Sequence, residues 1–287
     1  MPKNFLLFIL MVLAAILGGL KAYIDQLLRT ELNLAINSVA DKVTIEYSDV
    51  TISLLGAVVI NNLRFGEVHI DTVIFHKAYQ FYPLSQLPQQ LLISIKNVEY
   101  SIKDTAAPAP LLLSMLGYAP YYLTPRDLRG LGYAHINADI DIEAHSNQDI
   151  VSLSGTISAK AWGDLSFSVD LNNVPPPIRW SSSQGILLAA LTASYTNNGL
   201  VNRVFTGLAQ RDKMSLSHFK DGLISKLKND LSQASRLLDV SVLERFIQTP
   251  QTLTIALQPT PPIRLNALFY SSLKRLNLKM TTTFSLE

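Results

Sequence analysis

The sequence predicts an α+β protein: an N-terminal transmembrane helix and stalk, then a long twisted, mostly antiparallel β-sheet with a C-terminal helical insert. Three observations predict it. Residues 5–20, FLLFILMVLAAILGGL, hold no charged or strongly polar side chain. Most of the chain beyond residue 43 alternates apolar and polar side chains with period two, the repeat of a half-buried strand. Between residues 198 and 249 the repeat changes to three and four, that of an amphipathic helix. Strands, then helices, then strands again is an α+β order.

The first element is the apolar N-terminus. A helix crossing a bilayer takes ~20 residues, so the run from Phe5 to Leu20 needs Lys21 to snorkel and Ala22, Tyr23 and Ile24 to extend it. With that extension residues 1–24 read as an uncleaved signal-anchor. A cleaved signal peptide is the rival, but Lys21, Ala22 and Tyr23 after the apolar run make a poor small-x-small cleavage site. Lys3 and the amino terminus face Lys21 and Arg29 across the span, which nearly balances the positive-inside rule. The expected topology is N-terminus inside and the following domain translocated. Residues 25–42 carry Leu27, Leu28, Leu32, Ala35, Ile36 and Val39 at helical spacing and read as an amphipathic stalk.

Residues 43–287 read as one β-rich domain. Val43, Ile45 and Tyr47, then Ile52 and Leu54, a turn near Gly56, and Val58, Ile60, Leu63 and Phe65 give the first strands; VHIDTVIF and LLISIKNVEYSI follow. Prolines 108, 110, 120 and 125 break the pattern, so residues 104–125 are expected as a loop or lid with one short apolar helix. From 134 to 171, three period-two runs are separated by turns at SNQD and around WGD. They describe an antiparallel meander with one apolar and one wet face. After ILLAALTASYT the chain turns helical over 198–249, with stripes at Val204, Phe205 and Leu208 and at Phe219, Leu223, Leu227 and Leu231. Ser241 and Glu244 form a capping-box pair for a third helix ending before Pro250. TLTIAL and LNLKMTTTFSL close the sheet.

Composition narrows the function classes. Hydrophobic residues make up 48% of the 287 residues and charged residues 16%, with mean hydropathy +0.22. That is apolar for a soluble enzyme and too polar for a multi-span membrane protein. The 24 basic and 22 acidic residues leave a net charge of +2, and no Lys/Arg run is interleaved with aromatics, which argues against a nucleic-acid partner. Cysteine is absent, which removes disulfides, thiolate metal sites and cysteine nucleophiles and suits an oxidising compartment.

Candidate chemistry is sparse. His69, His76, His135 and His145 fall on expected strands and His218 at a helix start, none in a metal-ligand spacing. Asp139, Asp141 and Glu143 share the wet face of one strand, and an acid/base pair would need environments that push their pKa values apart. No GxSxG elbow, Walker loop or GxGxxG is present. The expectation is a protein without enzymatic activity, cofactor or metal.

The apolar face itself is what remains. By period-two geometry Ile136, Ile140, Ile142, Leu153, Ile157, Phe167 and Val169 share one side of the meander. They are the candidate lipid-facing residues, against the plainer reading of a core covered by the helices of 198–249. Long strands outnumber the helical stripes available to cover them.

The span, the stalk and the ribbon VTIEYSDVTISLLGAVVINNLRF, in which an apolar strand meets a glycine turn and an NNLRF strand, together resemble the start of AsmA-like proteins over residues 1–75. The resemblance implies a single-pass anchor in the inner membrane of Gram-negative bacteria and a periplasmic β-rich groove. It also implies a part in moving phospholipid toward the outer membrane and in envelope homeostasis. This chain is shorter than typical members and adds the helical insert and the Pro-rich LTIALQPTPPIRLNAL. The expected function is therefore lipid binding or handling in the envelope. The alternative is a non-enzymatic scaffold for an envelope complex, reached through envelope protein partners at strand edges or the Pro-rich loop.

Overall fold

The computed structural model describes residues 26, 29, 30, 33, 44–53, 56–77, 89–103, 109–110, 122–147, 149–174, 185–231, 240–265 and 276–283. Its body is one twelve-stranded sheet in which every pairing is antiparallel. The strands are β1 (Ile45–Glu46), β2 (Asp49–Ile52), β3 (Val58–Phe65), β4 (Val68–His76), β5 (Gln90–Ser101), β6 (Ala109–Pro110), β7 (Tyr122–Leu123), β8 (His135–Asn147), β9 (Ile150–Ala159), β10 (Gly163–Asn172), β11 (Leu187–Thr196), β12 (Thr252–Leu257), β13 (Ile263–Arg264) and β14 (Leu278–Thr283). Ten of them run β1-β3-β4-β5-β8-β9-β10-β11-β12-β14, with β2 on β3 and β13 on β11, while β6 and β7 pair separately. Nine inter-strand steps of ~4.8 Å make the path about 43 Å wide. At the usual twist per strand it turns through roughly half a revolution.

The helices are α1 (Pro125–Gly130), α2 (Leu200–Arg211), α3 (Leu216–Leu231) and α4 (Val240–Gln248). The last three pack one side of each against a single region of sheet. Val204, Phe205, Leu208, Phe219, Leu227, Leu243 and Ile247 are buried with Leu253 of β12 and Met280 of β14. Asn197 caps α2, its Oδ1 accepting from the amides of Gly199 and Val201 at 3.2 and 3.0 Å. At α1, Thr124 and Asp127 form a reciprocal capping box with Pro125 in the first turn. That box lies at the end of the stretch expected as a lid, and the T-P-x-D pattern signals it.

The expected fold class requires correction. The described chain is a mostly antiparallel sheet with few helices, not an α+β protein. Its three longer helices are confined to one insert and cover one region, so they do not form a second layer across the sheet. Among the described residues no helix is long and apolar enough to cross a membrane. The transmembrane helix expected from Phe5 to Leu20, with its extension to Ile24, is therefore not supported by the described residues. The apolar run is itself shorter than the ~20 residues a span takes. Residues 1–24 lie outside the described residues. Of the stalk expected over 25–42, Gln26, Arg29, Thr30 and Asn33 are described, helical and exposed. Arg29 pairs with Asp49, and the Tyr47 hydroxyl donates to Asn33 Oδ1 at 2.8 Å, so this helical stretch touches the first strands.

The meander of β8, β9 and β10 and the helical insert stand where the sequence puts them. Ser241 differs: α4 begins at Val240, so Ser241 lies inside its first turn rather than ahead of it as a cap.

Candidate functional site

Directly opposed residues of an antiparallel ladder share a face, so the register defines the apolar surface. One row runs Val58, Phe75, Ile93, Ile142, Gly155, Phe167, Ala193, Ile255, Met280. The next runs Ile60, Val73, Ile95, Ile140, Ile157, Leu165, Tyr195, Leu253. A third joins Leu91, Ala144, Leu153, Val169, Leu191 and Leu257. All seven sequence-predicted residues fall on this one face.

Both ends of the face are packed. At the N-terminal end Val50, Ile60 and Val73 are buried, with Phe75, Ile93 and Ile95 against them. At the C-terminal end the helices bury Leu253 and Met280, and Tyr195, Ile255 and Leu278 pack there too. Ile136 belongs to this helix-covered region, so it is not part of an open surface. Between the ends Ile140, Ile142, Leu153, Ile157, Phe167 and Val169 are half-buried. None of the six belongs to a buried cluster among the described residues. Sequence reasoning missed Val50, fully buried on β2, although its spacing from Ile52 is that of one strand face.

Gly155 shapes the middle of this strip. A Cβ there would lie 2.7 Å from Phe167 Cζ, 2.8 Å from its Cε1 and 2.9 Å from the Asp141 carbonyl oxygen. The Phe167 ring therefore leans over the glycine directly opposite it, covering backbone that no side chain shields.

The opposite face is polar. Lys96 Nζ lies 3.2 Å from Asp141 Oδ2 and 3.8 Å from Asp139 Oδ2. The Asn97 amide donates to Asp139 Oδ1 at 2.8 Å, and its Nδ2 to Asp71 Oδ2 at 2.7 Å. Glu143 Oε1 accepts from Gln90 Nε2 at 2.9 Å and lies 2.8 Å from His145 Nε2. A hydrogen bond from Ser94, then Lys96, holds the Asp141 carboxyl below its ordinary range, and Gln90 and His145 do the same for Glu143. Both shifts run downward, so these carboxylates share one ionisation state at neutral pH. His69 and His76 lie on β4, His135 and His145 on β8, and His218 on α3. Among the described residues no group of three or more His, Asp or Glu side chains could hold a metal.

Where the helices meet the meander, an aromatic cluster fixes the β9–β10 turn. Tyr133 packs edge-on to Trp162 with ring centroids 4.7 Å apart, and the Arg203 guanidinium lies 5.5 Å from the centre of the Tyr133 ring. The Tyr133 hydroxyl donates to the Ala161 carbonyl at 3.0 Å and the Tyr195 hydroxyl to the Trp162 carbonyl at 2.6 Å. Burial, with Tyr133 and Asp164 nearby, pushes Tyr195 up to about 12. Gly163, at φ +129°, lets the Tyr195 ring approach, since a Cβ would meet it at 2.5 Å.

A family model described only as an uncharacterized protein matches residues 156–283, from the end of β9 through the helical insert to β14. No curated protein matches the chain. No solved structure matches it.

Proposed function

We propose that the strip between the two packed ends binds the acyl chains of membrane lipid, and that the protein handles lipid in the bacterial envelope. One observation carries the reading: six aligned apolar side chains, Ile140 to Val169, are neither fully buried nor part of any buried cluster among the described residues. A broad apolar surface rimmed by polar groups marks a ligand, partner or membrane site. Acyl chains suit it because the strip offers apolar contact on neighbouring strands and few groups that would orient a polar ligand. The AsmA-like resemblance of residues 1–75 supports the same reading and its setting, the periplasmic side of an inner membrane.

The test is extraction of the purified full chain with organic solvent and mass spectrometry of the extract, repeated on Ile140→Asn and Ile157→Asn. Stoichiometric phospholipid is expected from the wild type and is expected to be lost from both variants, with little change in melting temperature. If the face is a closed core, each Asn instead leaves a buried polar group unsatisfied and costs ~1–3 kcal/mol. Lipid-free wild type together with strongly destabilised variants would leave the scaffold reading in its place.

A further inference from the structure

We propose that the groove between α1 and α2 holds the phosphate of an anionic phospholipid whose chains lie on the open strip. The proposal rests on the lipid-handling reading and names its headgroup site.

The groove has a volume of about 270 Å³ and is lined by Arg126, Asp127, Gly130, Leu131, Gly207 and Arg211, among others. A shallower extension past Gly130 and Gly207 adds Arg203. Two features of the sequence make it. Gly207 lets α1 come close, since a Cβ there would meet Leu131 Cδ2 at 2.8 Å. The capping box fixes α1, and in doing so occupies Asp127: its Oδ2 accepts from the Thr124 amide at 2.9 Å and hydroxyl at 2.7 Å.

Charge then favours an anion. Arg126 is exposed and makes no hydrogen bond or ion pair among the described residues. Arg211 uses Nε on Asp212 at 3.3 Å, and a guanidinium has further N–H donors in a fixed fork suited to phosphate oxygens. Arg203 is held over Tyr133. The acidic groups nearby are Asp127, which caps α1 through Thr124 and also faces Arg211 and Arg126, and Asp212, so three arginines stand against two carboxylates. An Arg fork on phosphate is among the stronger charge-assisted hydrogen bonds.

Placement links the groove to the strip. Its floor includes Val204 and Leu208, which are buried in the cluster against which Ile136 packs. Ile136, Ile140 and Ile142 are on one face of β8, and Ile136 to Ile142 is about 20 Å along the strand, so the cluster beneath the groove and the strip meet on one strand. Beside Arg211, the α2–α3 turn presents Lys213 and the exposed Met214 (38%) and Leu216 (37%), a basic and apolar rim of the kind that meets a lipid surface.

The experiment is calorimetric titration of the purified full chain with vesicles of dioleoyl-phosphatidylglycerol, vesicles of dioleoyl-phosphatidylcholine, and inorganic phosphate. The wild type is expected to bind the phosphatidylglycerol at least tenfold more tightly than the phosphatidylcholine. Arg126→Gln with Arg211→Gln is expected to abolish that preference, Arg126→Lys with Arg211→Lys to keep part of it, and Arg64→Gln, an exposed arginine on β3, to leave it intact. Ile140→Asn is expected to weaken both lipids equally and preserve their ratio. Equal binding of the two lipids by the wild type, or an unchanged ratio in the double Gln variant, overturns the groove while leaving lipid binding standing. Inorganic phosphate bound as tightly as phosphatidylglycerol overturns the headgroup assignment, and phosphate binding without either lipid overturns the lipid reading as well.

Discussion

Gly155→Ala is the sharpest test of how the half-buried strip is built. The added Cβ would sit 2.7 Å from Phe167 Cζ, 2.8 Å from Cε1 and 2.9 Å from the Asp141 carbonyl oxygen. Carbon atoms pack best at ~3.5–4.0 Å, so the ring must retreat by about 1 Å. The ring can swing, because Phe167 is only half-buried. The Asp141 carbonyl cannot move as freely, because it belongs to β8, which is paired along its length with β5 and β9. Overpacking of this kind costs ~1–3 kcal/mol. Replacing a strand glycine by alanine returns ~0.5–1 kcal/mol of backbone entropy. The net expectation is a loss of ~0–2.5 kcal/mol, the difference between those two ranges.

Urea unfolding reads this as a lower midpoint at unchanged m-value. In a Phe167→Ala background two of the three close contacts disappear, so the same Gly155→Ala change is expected to cost less there, with a coupling within the ~0.5–3 kcal/mol usual for residues in contact. Gly155→Ala that stabilises the protein, or costs the same in both backgrounds, would show that the ring does not rest on the glycine and would refute the reasoning.

Four further outcomes follow from the same structure. Phe219→Asp places a carboxylate in the helix-packed cluster, where Phe219 is 3% exposed and 6.0 Å from the Phe205 ring. It should cost at least ~3 kcal/mol, and an unchanged thermal melt followed by circular dichroism would place α3 outside the core. Thr124→Ala removes one half of the α1 capping box and should cost ~1 kcal/mol locally, seen as faster amide exchange at Asp127; unaltered exchange would mean that the cap does not hold α1. For pH, Asp141 and Glu143 are depressed in the folded state, so their stabilisation is present above the ordinary carboxylate pKa of ~4 and is lost as pH falls through the folded values. Asp141→Asn should flatten the acid limb of stability against pH, and an identical limb would remove Asp141 from that account. Tyr195, raised to about 12, works at the other end. Its contribution is complete below the unfolded tyrosine value of ~10 and is lost as pH rises through the folded one; an absorbance titration with every tyrosine ionising near the free value would contradict its burial.

The meander was legible because nothing interrupts it. His135–Asn147, Ile150–Ala159 and Gly163–Asn172 pair without a register shift, so period two in the sequence is period two in space. The helices of the insert were legible for the matching reason: Phe219, Leu223 and Leu227 recur at four and are all buried. Which part of the sheet those helices cover was not legible. Periodicity assigns a residue to a face and says nothing of what lies across from it, and so Ile136 and Ile140, four apart on one strand, read alike in sequence. In the fold Ile136 packs against the helices and Ile140 belongs to no buried cluster among the described residues. The α1–α2 groove was invisible for a related reason. Arg126 and Arg211 are far apart in the chain, and only the close approach at Gly207 brings them to one cavity.

The N-terminal half of the sheet carries a device that strict alternation misreads. Ile60 and Leu63, Ile70 and Val73, and Ile95 and Val98 are spaced by three, which in a regular strand puts the members of each pair on opposite faces. Yet Ile95 is opposite Ile140 and Val98 opposite Ala138, two residues of the regular strand β8 that share a face. Val73 pairs with Ile95 and Ile70 with Val98, and Ile60 and Leu63 pair with Val73 and Ile70 in turn. All six therefore lie on the apolar side, and Leu63 and Ile70 pack against Val50, Ile60 and Val73. The register of β5 on β8 shifts between Ile95 and Val98. Asn97 at φ 51° and Asn62 at φ 50° absorb the irregularity, and asparagine is the side-chain-bearing residue that tolerates this region best. Asn97 is then tied on the polar face to Asp71 and Asp139, and Asn62 Nδ2 donates to Ser48 at 3.0 Å. An inserted residue on one strand alone would throw its apolar set to the wrong side. Matching irregularities on three neighbouring strands keep one face apolar from β3 to β8, and that continuity is what lets a strip begin beyond the first packed cluster and run on to the helices.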